Sequence, residues 1–186
     1  MKDFETELSR VWRYDWKSQE NPFNMSASGH SLKSLITTLV NEPESSSEVY
    51  SHVASRGIKQ MLFRSALLKA YKQQCAFTKL SFVEALEACH IIPWVIATDS
   101  ERLDIRNGIL LNSLHHKMFD RGLITISPDH KIVFYDPQKN DGNYSEFDSL
   151  ITSDIHGKKM HLPSKLNQQP SAEYITRHHN ITGWKF

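Results

Sequence analysis

The sequence is poor in cysteine and has no long apolar run. Its 186 residues include only two cysteines, Cys75 and Cys89, too few for the disulfide framework of a small secreted protein. No apolar segment approaches the roughly 20 residues that cross a bilayer, and no basic start followed by an apolar stretch indicates a secretory signal. From these absences we expect a protein of the reducing cytoplasm, with no part in the membrane.

The chain also lacks an excess of charge of either sign. It has 22 Lys and Arg against 21 Asp and Glu, a formal net charge of +1. Such a balance neither indicates nor excludes a nucleic-acid partner, because binding depends on where the charge lies. Residues 56–80 contain six Lys or Arg and no acidic residue. This basic block could face phosphates or form a solvated helix face, and the sequence leaves both readings open.

The spacing of apolar residues predicts an α+β protein with two parts. Helical spacing occurs in residues 1–16, 30–42 and 60–74, and the acidic, serine-rich stretch 41–48 is typical of a linker. We therefore predict an N-terminal helical segment, residues 1–50, followed by a larger domain, residues 51–186. In that domain the pattern predicts the following order: two short β segments in 75–94, a turn, strand and short helix in 107–122, a β-hairpin in 123–136, and a final helix that Ser171 caps.

One histidine stands inside an apolar run, LEACHIIPW, residues 86–94. Taken alone, His90 would more often be a satisfied core residue than a catalyst. Behind it, however, follow Asn107 on a connecting loop and then His116 and Asp120 on the predicted short helix. His116 and Asp120 are four residues apart, so they lie on one helix face and could share a metal. Nitrogen and oxygen ligands together suit Mg²⁺, Mn²⁺ or another divalent ion of borderline hardness.

These residues carry a family resemblance. The segments LEACHIIPW, RLDIRNGILL and LHHKMFDRGLI resemble the HNH endonuclease family, in the branch with successive His-Ile-x-Pro, Asn-Gly and His-x-x-Phe-Asp-x-Gly elements. The likeness extends over roughly residues 55–180 and leaves the first 50 outside. It implies a ββα-metal nuclease core with flanking helices and a β-hairpin.

The resemblance also implies roles for individual residues. His90 matches the general base that takes a proton from the attacking water, and Asn107 matches the residue that braces the loop and in some members helps to hold the metal. His116 matches the helix histidine that binds the metal, and Asp120 lies where many members place another ligand. The catalytic set is then His90, Asn107 and His116, and the metal set is His116, Asp120 and Asn107. Mg²⁺ is the expected ion, with Mn²⁺, Ni²⁺ or Zn²⁺ as alternatives.

The implied activity is hydrolysis of DNA phosphodiester bonds, with bacterial restriction of foreign DNA as the expected setting. Cutting both strands would be easiest for a homodimer, and residues 1–50 are candidates for that contact or for target selection. Two other functions stay open: a nucleic-acid-binding module that has lost catalysis, and a non-specific toxin nuclease.

Several residues near the motif have more than one interpretation. Many family members carry a metal ligand where this chain has Cys89, so either Cys89 packs in the core or the ion is softer. Glu87 could orient the site or face solvent. His115 is expected outside the metal site, and Cys75 in the core. The simplest reading of His178 and His179 is a capping or surface role.

Overall fold

The computed structural model describes residues 26–27, 30–135 and 144–185. The helix predicted in residues 1–16 lies outside these ranges. The helices are α1 (Leu32–Asn41), α2 (Ser46–His52), α3 (Arg56–Ala70), α4 (Ser113–Asp120), α5 (Glu146–Ile151) and α6 (Ala172–Thr182). The strands are β1 (Ser26–Ala27), β2 (His30–Ser31), β3 (Leu86–His90), β4 (Gly108–Asn112), β5 (Ile124–Ile126) and β6 (Ile132–Phe134). The α+β prediction is confirmed.

Helices α1 and α3 pack against each other and share one core with the strands. Ser31 begins α1 by accepting a hydrogen bond from the Ser34 amide, as residues of this type do at helix starts. The prediction that residues 41–48 form a linker is wrong. Residues 43–45 form a 3₁₀ turn and residues 46–52 form α2. Pro43 and Val49 are buried and hold this stretch against the core. The division into domains at residue 50 stays a prediction.

Strands β3 and β4 form an antiparallel pair that leads directly into α4. In its register Leu86 lies opposite Asn112 and His90 opposite Gly108. Asn112 ends β4 and caps α4, because its side-chain oxygen accepts a hydrogen bond from the His115 amide at 2.9 Å. The strand, return strand and helix predicted around the motif are therefore present.

Only one of the two β segments expected in residues 75–94 exists. The amide of Cys75 donates to the carbonyl of Leu80, and the amide of Lys79 donates to the carbonyl of Cys75. Lys79 has a φ of 60°, which belongs to turns rather than strands. The segment before β3 therefore closes on itself as a turn.

The C-terminal part follows the sequence prediction. Strands β5 and β6 form the expected hairpin, with Ile124 opposite Phe134. Ser171 caps α6, and its amide donates to the carbonyl of Arg106, which ties the helix start to the loop before β4. Within the described ranges no helix is long and apolar enough to cross a membrane.

The first residue of β4 has no room for a side chain. A Cβ on Gly108 would lie 2.6 Å from the Phe63 ring and 2.7 Å from the Leu67 side chain, both buried in the core. The Phe63 ring stacks on His90, with ring centroids 3.9 Å apart. A glycine here therefore lets the core come close enough to support the His90 ring.

We predict that Gly108→Ala destabilises the protein by about 1–3 kcal/mol, because the buried Phe63 and Leu67 must move. Denaturant unfolding measures this change. Gly57→Ala is the matched control, since a Cβ there would have only the Ser55 hydroxyl, 3.7 Å away, within van der Waals range. Equal stability of the two variants would contradict the close packing at Gly108.

Candidate active site

An open cleft lies between α3, β3 and α4. Its walls include Gln60 of α3, Ala88 and His90 of β3, and His116 and Asp120 of α4. The structure thus brings three of the four predicted site residues to one surface. Asn107, the fourth, is buried and does not line the cleft.

His90 ends β3 and is held on three sides. Phe63 stacks on its face, the Trp94 ring meets it edge-to-face at 5.6 Å, and the Arg102 carbonyl lies 3.1 Å from its Nε2. Because a carbonyl only accepts, Nε2 carries the proton and Nδ1 keeps its lone pair. Among the described residues, Nδ1 has no hydrogen-bond partner.

Burial lowers the pKa of His90 to about 4, although the hydrogen bond to the Arg102 carbonyl acts in the opposite direction. The imidazole is therefore neutral at physiological pH. A neutral imidazole with one nitrogen fixed as a donor has its other nitrogen ready to accept a proton, as a general base requires.

Asn107 is completely buried and binds backbone groups of the loop between β3 and β4. Its side-chain oxygen accepts from the Ile92 amide at 2.7 Å, and its nitrogen donates to the Glu101 carbonyl at 2.9 Å. These contacts join Ile92 to Glu101 across the loop, and the bracing role that the resemblance implies stays a prediction. The second expected role of Asn107, that of a metal ligand, is not favoured, because its side-chain oxygen already accepts a hydrogen bond from a backbone amide.

His116 lies between two carboxylates. Its Nδ1 is 2.5 Å from Glu87 Oε2 and its Nε2 is 3.5 Å from Asp120 Oδ2. Partial burial opposes ionisation of Glu87, but hydrogen bonds from His116 and Ser113 outweigh it and lower the pKa of this carboxyl. Glu87 is therefore an anion that accepts a hydrogen bond from the His116 Nδ1–H group and turns Nε2 toward Asp120, an arrangement common behind metal-binding histidines.

Cys89, His116 and Asp120 form the one group of three potential metal ligands found among the described residues, with ligand atoms within 4.8 Å of one another. The Cys89 side chain is completely buried, and burial, with the negative charges of Asp120 and Glu87, raises the pKa of its thiol well above the usual value. A completely buried free cysteine usually packs as a small apolar side chain. The environment favours Cys89 as a packing residue, leaving an imidazole nitrogen and a carboxylate oxygen for a metal.

The remaining cysteine and the neighbouring histidine lie behind the site. Cys75 is buried and its sulfur accepts from the Asn112 amide at 3.3 Å. His115 is also buried, and its Nε2 donates to the Ile151 carbonyl at 2.8 Å. His115 thus faces away from the cleft, as expected from its helical phase.

The basic block does not form one face. Arg56, at the start of α3, lies 5.5 Å from the Trp94 ring beside the cleft. Lys72 and Lys79 lie beyond the other end of α3, where burial and their charges lower the pKa of His161. A helix of 15 residues is about 22 Å long, so only part of the block can act together with the cleft.

The surface or capping role expected for His178 and His179 is wrong, because both are buried. His178 stacks on Phe119 at 4.5 Å, and its Nδ1 donates to the Ile91 carbonyl next to His90. His179 Nε2 donates to the Ile126 carbonyl. Sequence reasoning missed them because a pair of histidines near a chain end has no local pattern that indicates burial.

Comparison with known proteins gives a family match for part of the chain. Residues 75–127, which we call the HNH segment, match a family model described as HNH endonuclease. This segment is similar to HNH endonucleases. The HNH segment contains the β3–β4 pair and α4 with the whole predicted site, and it is shorter than the stretch 55–180 over which the sequence resembles the family. No curated protein matches the chain.

The donor set of the HNH segment fits a divalent metal ion. His116 offers an imidazole nitrogen oriented by Glu87, and Asp120 offers a carboxylate oxygen on the same helix face. Mixed nitrogen and oxygen donors suit Mn²⁺, Ni²⁺ or Zn²⁺ and also accommodate Mg²⁺ that keeps several waters.

We predict that the folded protein loses stability as the pH falls from 7 to 5, partly through His178. Burial lowers the pKa of His178 to about 4 from an ordinary 6.5. The unfolded chain therefore takes up a proton in this interval before the folded chain does, which favours unfolding by up to about 2 kcal/mol at pH 5. Denaturant unfolding at pH 7 and pH 5 measures the loss, and His178→Asn is expected to reduce it. An equal loss in the variant would contradict this assignment.

Proposed function

We propose that the protein is a metal-dependent endonuclease that hydrolyses DNA phosphodiester bonds. The observation that supports this most strongly is the pairing, across one cleft, of a neutral imidazole at His90 with the His116 and Asp120 ligand pair. Hydrolysis of a phosphodiester needs a base for the attacking water and positive charge beside the phosphate, and the two groups correspond to those needs.

His90 takes the proton of the attacking water on Nδ1. Its Nε2–H stays bound to the Arg102 carbonyl, so the ring keeps its orientation while Nδ1 is protonated. Phe63 on its face and Trp94 at its edge prevent the ring from turning away. Because the pKa of His90 is low, the ring is in the unprotonated form that a base needs before the water attacks.

His116 and Asp120 would hold the divalent ion, which when bound would supply positive charge beside the scissile phosphate and the leaving oxygen. Glu87 keeps the His116 ring in place through Nδ1. Glu87 is thus a positioning residue, whereas His116 and Asp120 would contact the ion.

The proposed setting is bacterial restriction of foreign DNA in the cytoplasm, with a homodimer to cut both strands. Residues 1–50 would serve dimer contact or target selection. A binding module without catalysis is the alternative class; the buried thiol at Cys89, where many relatives place a ligand, is the observation in its favour. A non-specific toxin nuclease would degrade DNA without a preferred site.

We predict that the purified protein nicks supercoiled plasmid with a divalent metal and that His90→Ala lowers the rate roughly 100-fold to 10,000-fold, the usual contribution of a general base. The assay compares unmodified and methylated plasmid with Mg²⁺, Mn²⁺, Ni²⁺ or Zn²⁺, with EDTA as a blank. His161→Ala is the control, because His161 lies near the end of α3 that is far from the cleft. This variant is expected to keep activity. DNA binding without cleavage by the wild type would favour the inactive module.

For Glu87 we predict that Glu87→Ala weakens metal binding by roughly 10-fold to 100-fold, as loss of the partner behind a metal-binding histidine does. Glu87→Gln is expected to recover part of the affinity, since its amide oxygen still accepts the Nδ1 proton. Titration of Mn²⁺ followed by electron paramagnetic resonance measures both. If neither variant changes the affinity while both stay folded, Glu87 does not position His116.

A further inference from the structure

One histidine in the wall of the cleft has no part in the proposed reaction. His178 of α6 lines this cleft together with His90, His116 and Asp120. It is only 3% exposed. Within the described ranges, its Nε2 is the one buried side-chain nitrogen or oxygen without a hydrogen-bond partner. His178 lies outside the HNH segment, so the family match gives it no role.

The ring of His178 presents a lone pair at Nε2. Its Nδ1 lies 2.8 Å from the Ile91 carbonyl oxygen. Because a carbonyl only accepts, Nδ1 carries the proton, and in a neutral ring the other nitrogen is then an acceptor. Burial favours the neutral ring and lowers the pKa of His178 to about 4. A buried acceptor without a donor is costly, and such atoms in native proteins commonly meet a water molecule or an ion.

Two contacts hold this ring beside α4. The His178 ring stacks on Phe119 with centroids 4.5 Å apart, and Phe119 immediately precedes Asp120 at the end of α4. One turn further along α6, the Thr182 hydroxyl donates to the His178 carbonyl at 2.7 Å, and Thr182 lines the same cleft. The ring is therefore held in place in the free protein, without further ordering on binding.

The bonding of His178 is typical of histidines at metal centres, but direct binding of the ion does not fit. A histidine at such a centre donates its other ring N–H to a carboxylate or a backbone carbonyl, as Nδ1 does here. Two atoms that bind one ion at about 2.1 Å lie at most about 4.2 Å apart. The candidate ligand atoms within 4.8 Å of one another belong to Cys89, His116 and Asp120, without His178. His178 is therefore not placed to bind the same ion directly.

A water molecule on the ion is the partner whose chemistry fits. With two ligands from the protein, Mg²⁺ keeps several waters. The charge of the ion polarises the O–H bonds of these waters and makes them strong donors, and a donor is what Nε2 lacks. The DNA backbone cannot take this place, because without the 2′-hydroxyl of RNA it offers no hydrogen-bond donor.

We propose that His178 Nε2 accepts a hydrogen bond from a water molecule bound to the ion that His116 and Asp120 would hold. The proposal rests on the proposed metal site and extends it to a helix that the family match does not cover. His178 is then a positioning residue. It orients a water on the ion and so strengthens metal binding without touching the metal.

The first test observes the His178 ring of the wild type by nuclear magnetic resonance, with labelled nitrogen in the histidines, during titration with Mg²⁺. The ring is assigned through its contact with the Phe119 ring. The Nε2 signal is expected to move upfield as this nitrogen gains a hydrogen bond, while Nδ1 stays protonated. With Cd²⁺ in place of Mg²⁺, scalar coupling between metal and nitrogen is expected at His116 and not at His178. A His178 signal that ignores the metal while His116 responds, or coupling of Cd²⁺ to His178, overturns the proposal.

The second test removes the acceptor. His178→Asn keeps an amide donor near the position of Nδ1 for the Ile91 carbonyl and has nothing in the place of Nε2. Its affinity for Mn²⁺, measured by electron paramagnetic resonance, is expected to fall roughly ten-fold. The matched control is His179→Gln, since His179 is buried on the same helix and does not line the cleft, and glutamine can still donate to the Ile126 carbonyl. The Mn²⁺ affinity of this control is expected to stay unchanged.

Neither test measures cleavage, so the role of His178 and the proposed nuclease can fail separately. A His178 ring that responds to Mg²⁺ as expected, in a protein that never cuts DNA, would support the role of His178 and refute the nuclease. Cleavage of DNA together with equal Mn²⁺ affinity of His178→Asn and the wild type would support the nuclease and overturn the role of His178. An equal loss of affinity in His178→Asn and His179→Gln also overturns it. The first test uses the wild-type protein, so it decides the question even where His178→Asn does not fold.

Discussion

The buried amide of Asn107 is the constraint on which the site depends. It joins the Ile92 amide at one end of the loop between β3 and β4 to the Glu101 carbonyl near the other. The Asn107 carbonyl also accepts from the Ile91 amide. These bonds fix the chain immediately after His90 and immediately before the strand that leads to His116. A buried amide left without partners would be costly, so the loop has little freedom to open, and the Arg102 carbonyl stays where it orients the His90 ring.

Burial and charge separate the two halves of the proposed site. His90 is enclosed by Phe63 and Trp94, which keeps it neutral and holds its tautomer. His116 and Asp120 lie on the outer face of α4, where the Asp120 side chain is 61% exposed and a metal ion has access. Gly108 permits this arrangement, because the absence of a side chain lets Phe63 approach His90. A base that must stay unprotonated and a site that must attract a cation are thus kept in different environments a short distance apart.

Much of this arrangement could be predicted from the sequence, because the ββα segment carries its own local signals. Asn112 caps α4, apolar alternation marks β5 and β6, and the resemblance carried by the motif residues implies that His90, His116 and Asp120 lie near one another. What the sequence could not indicate depends on contacts between distant residues. The turn at 75–80 depends on Lys79 adopting a positive φ. The burial of His178 depends on α6 packing behind Ile91, 87 residues earlier in the chain. Glu87 of β3 contacts His116 of α4 only because the fold packs this helix against this strand.

The central claim is that His116 and Asp120 hold one divalent ion opposite His90. The most direct measurement is a crystal structure of the His90→Ala protein with a DNA duplex and Mn²⁺, with the ion located by its anomalous scattering. The account predicts one peak about 2.0–2.3 Å from His116 Nε2 and from an Asp120 oxygen, in contact with a phosphate oxygen. A peak on the Cys89 sulfur, or metal and DNA bound away from this cleft, would contradict it.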